Sequence, residues 1–328
     1  MKKSHFLFLV LSLFFFSCKN NNDPVIKKTT GQINSVSIVI DDQLWNGEVG
    51  DSIRNKFASP VLGLPQEEPL FNINQYPTKL LEGFITDSRN IIVVKKEEIN
   101  KFEIITDQYA SPQNVFHISG RTATDIISIL EKQSPTIIAT IRQTEIEESQ
   151  KSIKKSVLNP KIIQNKFQIN LDVPSDYHYT LHESNFLWLK KEIVSGSSSL
   201  LLYQVPIYQI INKNNMVSNI ISMRDSIGKL YIHGKELDTD MITEEAYSPY
   251  FFKIKLAGKV AYEMKGTWEL KNDFMSGPFI NYVIIDDEYS RALVLEGFCY
   301  SPSKEKRDLM HELEAIIKSV SIIKRDSN

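Results

Sequence analysis

The sequence predicts an α+β fold of two similar lobes, each a mainly antiparallel sheet packed by amphipathic helices. Three observations carry this. Both halves present the same order of elements: a strand, a helix carrying the triplet DSI (Asp51 to Ile53 and Asp225 to Ile227), further strands, then a closing amphipathic helix. A succession of strand patterns with turn residues between them fills the end of the second half. The chain of 328 residues is long enough for two ordinary domains, and its 42% hydrophobic and 24% charged content is a globular mixture. The expected divisions are a signal peptide at 1–17, an anchor and tether at 18–31, a first lobe at 32–158 and a second at 159–328.

In the first lobe Val36, Ile38 and Ile40 set a period of two that stops at Asp41 and Asp42, which predicts a strand. Val49, Ile53 and Phe57 recur every four residues and predict a short helix ended by Pro60. The stretch LPQEEPLF, with Pro65 and Pro69 around two glutamates, predicts an extended connection. Ile91 to Val94 is an unbroken β-branched run, as in a buried strand, and Val115 to Ile118 is another strand candidate. Thr122 and Asp125 have the spacing of a capping box in front of the apolar face formed by Ala123, Ile126, Ile127 and Leu130. From Ile141 to Val157 apolar residues are sparse among charges, which predicts a solvated connecting helix.

In the second lobe strands are expected at Phe167 to Val173, Phe186 to Leu189 and Leu200 to Val205, with Ser195 to Ser199 as a turn. A helix is expected from Met216 to about Gly228. Strands follow at Tyr250 to Leu256, Trp268 to Leu270, Phe279 to Ile285 and Ala292 to Cys299, the last two joined as a hairpin through Asp286 and Asp287. The closing helix has Ser301 as expected N-cap and Pro302 in its first turn, and Leu309, Leu313, Ile316, Ile317 and Val320 form its apolar stripe.

The N-terminus gives an address. Lys2 and Lys3 precede the apolar run Phe6 to Phe16, and Ser17 stands directly before Cys18. This is the pattern of a secretory signal ending in a lipobox, with Cys18 as the lipid-anchor residue, diacylated and palmitate-bearing. The run is about half the roughly 20 residues that span a bilayer. The membrane is therefore expected as a partner through the N-terminal lipid alone, with the protein in the bacterial cell envelope on an outer-membrane leaflet, periplasmic or surface-facing. Lys19 to Gly31 is polar and predicts a tether whose reach is roughly 20 Å. With 38 basic and 40 acidic residues no broad positive field exists, so nucleic acid is not an expected partner. Of the two cysteines, acylation of Cys18 leaves Cys299 without a disulfide partner.

No signature of catalysis is present. His-Glu-x-x-His, Walker A, Gly-x-Ser-x-Gly and paired Cys-x-x-Cys motifs are all lacking, and the close pair His178 and His182 is expected in an extended segment that separates the rings. Neither a metal nor a cofactor is expected. Two stretches are candidates for contact with a ligand or partner. Asp42 and Glu48 flank Trp45, acids beside a ring able to stack on a sugar. In KGTWELKNDFMSGPFI, Trp268, Asp273 and Phe274 stand among glycines that permit close backbone approach.

The strings IDDQLWNGEVGDSIR, LPQEEPLF and GTWELKNDFMSGPF resemble an uncharacterised family of Bacteroidota lipoproteins known as a domain of unknown function. That resemblance implies location and fold extent and brings no catalytic residues. The second half, Phe167 to Ile322, also resembles the photosystem-protein P and Mog1 type of lobe in topology, with an opening strand ending at Val173 and Pro174 and a closing hairpin and helix. The expected function is a non-catalytic envelope lipoprotein that binds an envelope protein, glycan or other ligand. The competing expectation is an envelope enzyme acting on glycan or peptidoglycan through Asp42, Glu48 or the loop around Asp273. Carriage of a small ligand between the lobes is a third.

Overall fold

The computed structural model describes residues 26–211 and 215–324. The expected signal peptide, Cys18 and most of the expected tether lie outside the described residues. The first lobe comprises β1 (Lys27–Lys28), β2 (Ser35–Ile40), α1 (Asp42–Trp45), α2 (Glu48–Phe57), β3 (Asn72–Tyr76), β4 (Asn90–Lys96), β5 (Lys101–Thr106), β6 (Ala110–Ser111), β7 (Asn114–Gly120) and α3 (Ala123–Ile153). The second comprises α4 (Lys161–Phe167), β8 (Ile169–Asn170), β9 (His178–Glu183), β10 (Phe186–Ile193), β11 (Gly196–Pro206), α5 (Tyr208–Ile211), α6 (Met216–Tyr231), β12 (Met241–Thr243), β13 (Tyr250–Leu256), β14 (Lys259–Leu270), β15 (Ser276–Asp286), β16 (Arg291–Tyr300), α7 (Arg307–Lys318) and β17 (Ser321–Ile322).

The α+β class and the two lobes are observed, but the lobes differ in how their strands pair. The first sheet runs in the order β3-β2-β4-β7-β5, and all its pairs are parallel except that of β5 with β7. The expectation of a mainly antiparallel sheet fails here for a physical reason. Ile92 and Val94 point into the cluster under α2 and α3, while Ile91 and Val93 enter a second cluster on the opposite face. A sheet covered on both faces suits parallel strands joined by crossovers.

The second sheet is antiparallel throughout, in the order β12-β14-β15-β16-β11-β10-β9, with β13 alongside β12 on the same edge of β14. Strand β16 shows the period of two: Leu293, Leu295 and Cys299 face the cluster under α7, whereas Ala292, Val294 and Phe298 face the one under α6. The expected strand from Phe167 is mostly a different structure. Ile163 and Phe167, four apart, bury the inner side of α4, and the chain then turns through a left-handed Gln168 into the two-residue β8.

Helix α3 also departs from expectation. The capping box forms, with Thr122 Oγ1 accepting from Asp125 N at 3.1 Å and Asp125 Oδ2 accepting from Thr122 N at 3.1 Å. The helix then continues without a break for 31 residues, about 46 Å. Pro135 is exposed, so the carbonyl it leaves without a partner faces water and the helix survives. The charged second half is not simply solvated. Glu145 is fully buried and receives Arg89 Nε at 2.8 Å, Asn90 Nδ2 at 2.6 Å and the backbone N–H of Asn34 at 3.2 Å. These bonds tie α3 to the first sheet and leave its other side for α7 of the second lobe.

The closing helix begins at Arg307, not near Ser301, because its cap comes from the other lobe. Glu68, buried in the LPQEEPLF stretch, accepts the backbone N–H of Lys306 and of Arg307, each at 2.7 Å. Those are two of the orphan donors at a helix start. Arg307 Nη1 returns to Pro69 O at 2.9 Å and Asn72 Oδ1 at 3.1 Å. With Gln150 Nε2 donating to Ala315 O at 3.0 Å, the two lobes are fastened along α3 and α7.

Candidate functional site: the cleft between the lobes

A cleft of about 830 Å³ opens where the lobes meet, within the range of small-molecule sites. One wall is the loop from Ser59 to Leu64 of the first lobe. Backbone bonds from Val61 N to Glu68 O (2.9 Å) and from Leu70 N to Ser59 O (2.8 Å) fold this loop back on itself. Gly63 lets it approach β14: its φ is +85°, and a Cβ there would stand 3.0 Å from Lys265 Cβ and 3.1 Å from Gly266 N. The opposite wall is made by β13 and β14, and the floor by α7 with Arg142 of α3. Val61, Leu62, Leu64, Phe252, Ile254 and Met310 give the cleft an apolar lining, with Leu62 and Phe252 exposed at its mouth.

The floor carries charge. Glu314 lies within the buried side of α7 and is clasped by Arg142 Nη2 at 3.0 and 3.1 Å and Lys318 Nζ at 2.5 Å, with Lys265 Nζ at 3.7 Å. Burial alone would raise its pKa. The charges of Lys265, Arg142 and Lys318 outweigh that and hold the carboxyl well below the usual range. Lys265 also pairs with Glu263 at 2.6 Å. Arg307 is matched by Asp308 at 2.9 Å. His311 lies between α7 and α3, its Nε2 3.0 Å from Ser149 Oγ and 3.3 Å from Glu145 O, and burial pushes its pKa down.

The residues singled out from sequence fall elsewhere. Asp42 and Trp45 open and close α1, and Glu48 is the first residue of α2. Asp42 Oδ1 accepts from Gln75 Nε2 at 3.2 Å, and Glu48 is an exposed acid in the first turn of α2, where the helix dipole favours it. The ring of Trp45 is covered by the Arg54 guanidinium at 4.5 Å from its centroid. Trp268 is 2% exposed, with Nε1 donating to Cys299 O at 3.3 Å and its ring edge-on to Phe298. Phe274, in the turn between β14 and β15, is 104% exposed, and the neighbouring Asp273 Oδ1 accepts its N–H at 2.6 Å. None of these six lines the interlobe cleft.

Cys299 is buried, and burial pushes its thiol up to about 12, so it is inert. His178 and His182 lie on strand β9, as expected of an extended segment. Among the described residues no group of three or more His, Cys, Asp or Glu side chains is placed to hold a metal, and no helix is long and apolar enough to cross a membrane. Sequence reading missed Arg142, Lys265 and Glu314, which come from three distant segments. The one available signal was Glu314 itself, a carboxylate set among the apolar stripe of α7.

Fold and cleft together define a two-lobed α+β protein with a ligand-sized recess between its lobes. The chain belongs to the family described as "Domain of unknown function (DUF4837)", matched over residues 156–319, and residues 29–154 match "Domain of unknown function (DUF8532)". No curated protein matches the sequence. Among solved structures, the Ran-binding protein Mog1p of Saccharomyces cerevisiae is similar over 48% of this chain and 91% of its own, at 7% identity and a TM-score of 0.33. LpqN of Mycobacterium tuberculosis, involved in cell envelope biogenesis, is similar over 47% of this chain and 82% of its own, at 14% identity and a TM-score of 0.28.

Proposed function

We propose that this protein is a lipid-anchored component of the bacterial cell envelope that binds a ligand in the cleft between its lobes and performs no chemistry on it. The cleft carries the reading: it has the size of a small-molecule site and apolar walls. Cys18 supplies the anchor, and division of the mature chain into a tether at 18–31 and lobes at 32–158 and 159–328 belongs to the same proposal. The enzyme reading needed at least two of Asp42, Glu48 and Asp273 to converge with Trp45 or Trp268 in a deep recess, and none of them lines the interlobe cleft. A partner-facing role for Phe274 is the second reading, favoured by its complete exposure.

The test is native mass spectrometry of the full chain, expressed in a lipoprotein-processing bacterium and extracted in mild detergent. Wild type should carry the lipid mass on its N-terminal cysteine and a reproducible further adduct that Leu62→Arg removes. Loss of membrane association in Cys18→Ser should leave the adduct in place. A wild-type protein without an adduct, or one whose adduct survives Leu62→Arg, would overturn the cleft assignment.

A further inference from the structure

Resting on the cleft as the binding site, we infer that its ligand is an amphiphile with a small anionic head, carboxylate or phosphate, on an apolar chain. The charges of the lining decide this. Lys265 is matched by Glu263 and Lys318 by Glu314, and Arg307 is neutralised by Asp308. Arg142 remains, a surplus of one positive charge in a recess of a chain whose formal net charge is −2. Local sign therefore runs against the sign of the whole protein, and a recess with apolar walls focuses that field.

Arg142 has the geometry of a receptor for an anion. Its side chain is 41% exposed and lines the cleft, yet it is held by one nitrogen only, Nη2, against the two oxygens of Glu314. Among the described residues neither Nε nor Nη1 has an acceptor, so the guanidinium presents unused N–H donors in a fixed plane. Glu314 is the positioning residue that fixes this plane. Each of these donors can meet one oxygen of a carboxylate or a phosphate, while Nη2, which both bidentate edges of the guanidinium share, is given to Glu314.

The remaining lining fits the other half of the ligand. Leu62, Leu64, Phe252, Ile254 and Met310 offer apolar surface and no free acceptor, which suits a hydrocarbon chain and disfavours a sugar, whose hydroxyls would go unpaired. A cationic amphiphile would meet the surplus charge as repulsion. Head and tail are thus selected by different parts of one cleft.

The experiment is displacement of the neutral fluorophore N-phenyl-1-naphthylamine from the full-length protein by four twelve-carbon amphiphiles. Dodecanoate and dodecyl phosphate supply the two anionic heads, dodecyltrimethylammonium the cationic one and dodecyl maltoside the neutral one. At least one anion should displace the probe at a concentration tenfold or more below the cation and the maltoside, and the better anion identifies the head. Arg142→Gln should abolish that preference and Arg142→Lys restore part of it. Because Arg142 also bridges the lobes, Phe252→Glu, at an exposed position of the cleft wall, serves as the second variant and should reduce the preference at least threefold with the thermal midpoint unchanged. Equal displacement by all four heads would overturn the inference while leaving the cleft a binding site. Displacement by none, or no fluorophore binding, would overturn both.

Discussion

Replacing Glu68 by alanine removes the acceptor through which the first lobe caps the last helix of the second. The carboxylate takes two backbone N–H groups at 2.7 Å, at a buried site where water does not replace it. A hydrogen bond to a charged group is worth about 1.5–3 kcal/mol and deletion of a helix cap about 0.5–2 kcal/mol. Two donors losing one shared acceptor should therefore cost about 3 kcal/mol. Urea unfolding followed by tryptophan fluorescence reports on both lobes, since Trp45 lies in the first and Trp188 and Trp268 in the second. Amide exchange localises the loss: the protons of Lys306 and Arg307 should exchange about a hundredfold faster, the equivalent of about 3 kcal/mol at 1.4 kcal/mol per decade. Glu68→Gln, keeping one acceptor oxygen, should fall between. A loss below about 0.5 kcal/mol with unchanged exchange at the start of α7 would refute the capping argument.

Other outcomes follow from the same geometry. The pKa of Glu314 is depressed in the folded protein, so its contribution is present above its unfolded value of about 4.3 and is lost as pH falls below it. Glu314→Gln should lower stability at pH 7 and flatten the decline of the urea midpoint below pH 4. Burial lowers the pKa of His311, so the folded state prefers the neutral ring and stability should fall as pH drops below about 6.5. His311→Gln should remove that part of the dependence, measured as thermal midpoints between pH 7 and 5. Trp268→Ala empties a core position and should cost about 3–5 kcal/mol in urea unfolding, whereas Phe274→Ser should change stability by less than about 0.5 kcal/mol. Cys299 should resist Ellman's reagent in the native protein and react only in denaturant.

The features legible in the sequence were those set by near neighbours. The capping box of Thr122 and Asp125, the buried run Ile91 to Val94 and the hairpin through Asp286 and Asp287 each depend on residues a few positions apart. What was hidden depends on distant ones. Ser301 and Pro302 imitate a helix start, but the effective cap, Glu68, is 238 residues from Lys306. The second half of α3 reads as solvated because Glu145 is charged, and Arg89, Asn90 and the backbone N–H of Asn34 make its burial tolerable. The sense of strand pairing in the first lobe follows from crossovers whose path no local pattern specifies. The cleft was invisible for the same reason, with Arg142, Lys265 and Glu314 spread over 173 positions. The aromatic string around Trp268 was conspicuous, and its indole proved to be core.

The central claim, that the ligand site is the recess between the lobes, is tested most directly by hydrogen–deuterium exchange of the full chain with and without saturating dodecanoate. Protection should concentrate in residues 59–64, in β13 and along α7, with the stretches 42–48 and 268–274 unchanged. Protection confined to those two stretches, with the cleft walls unaffected, would contradict it.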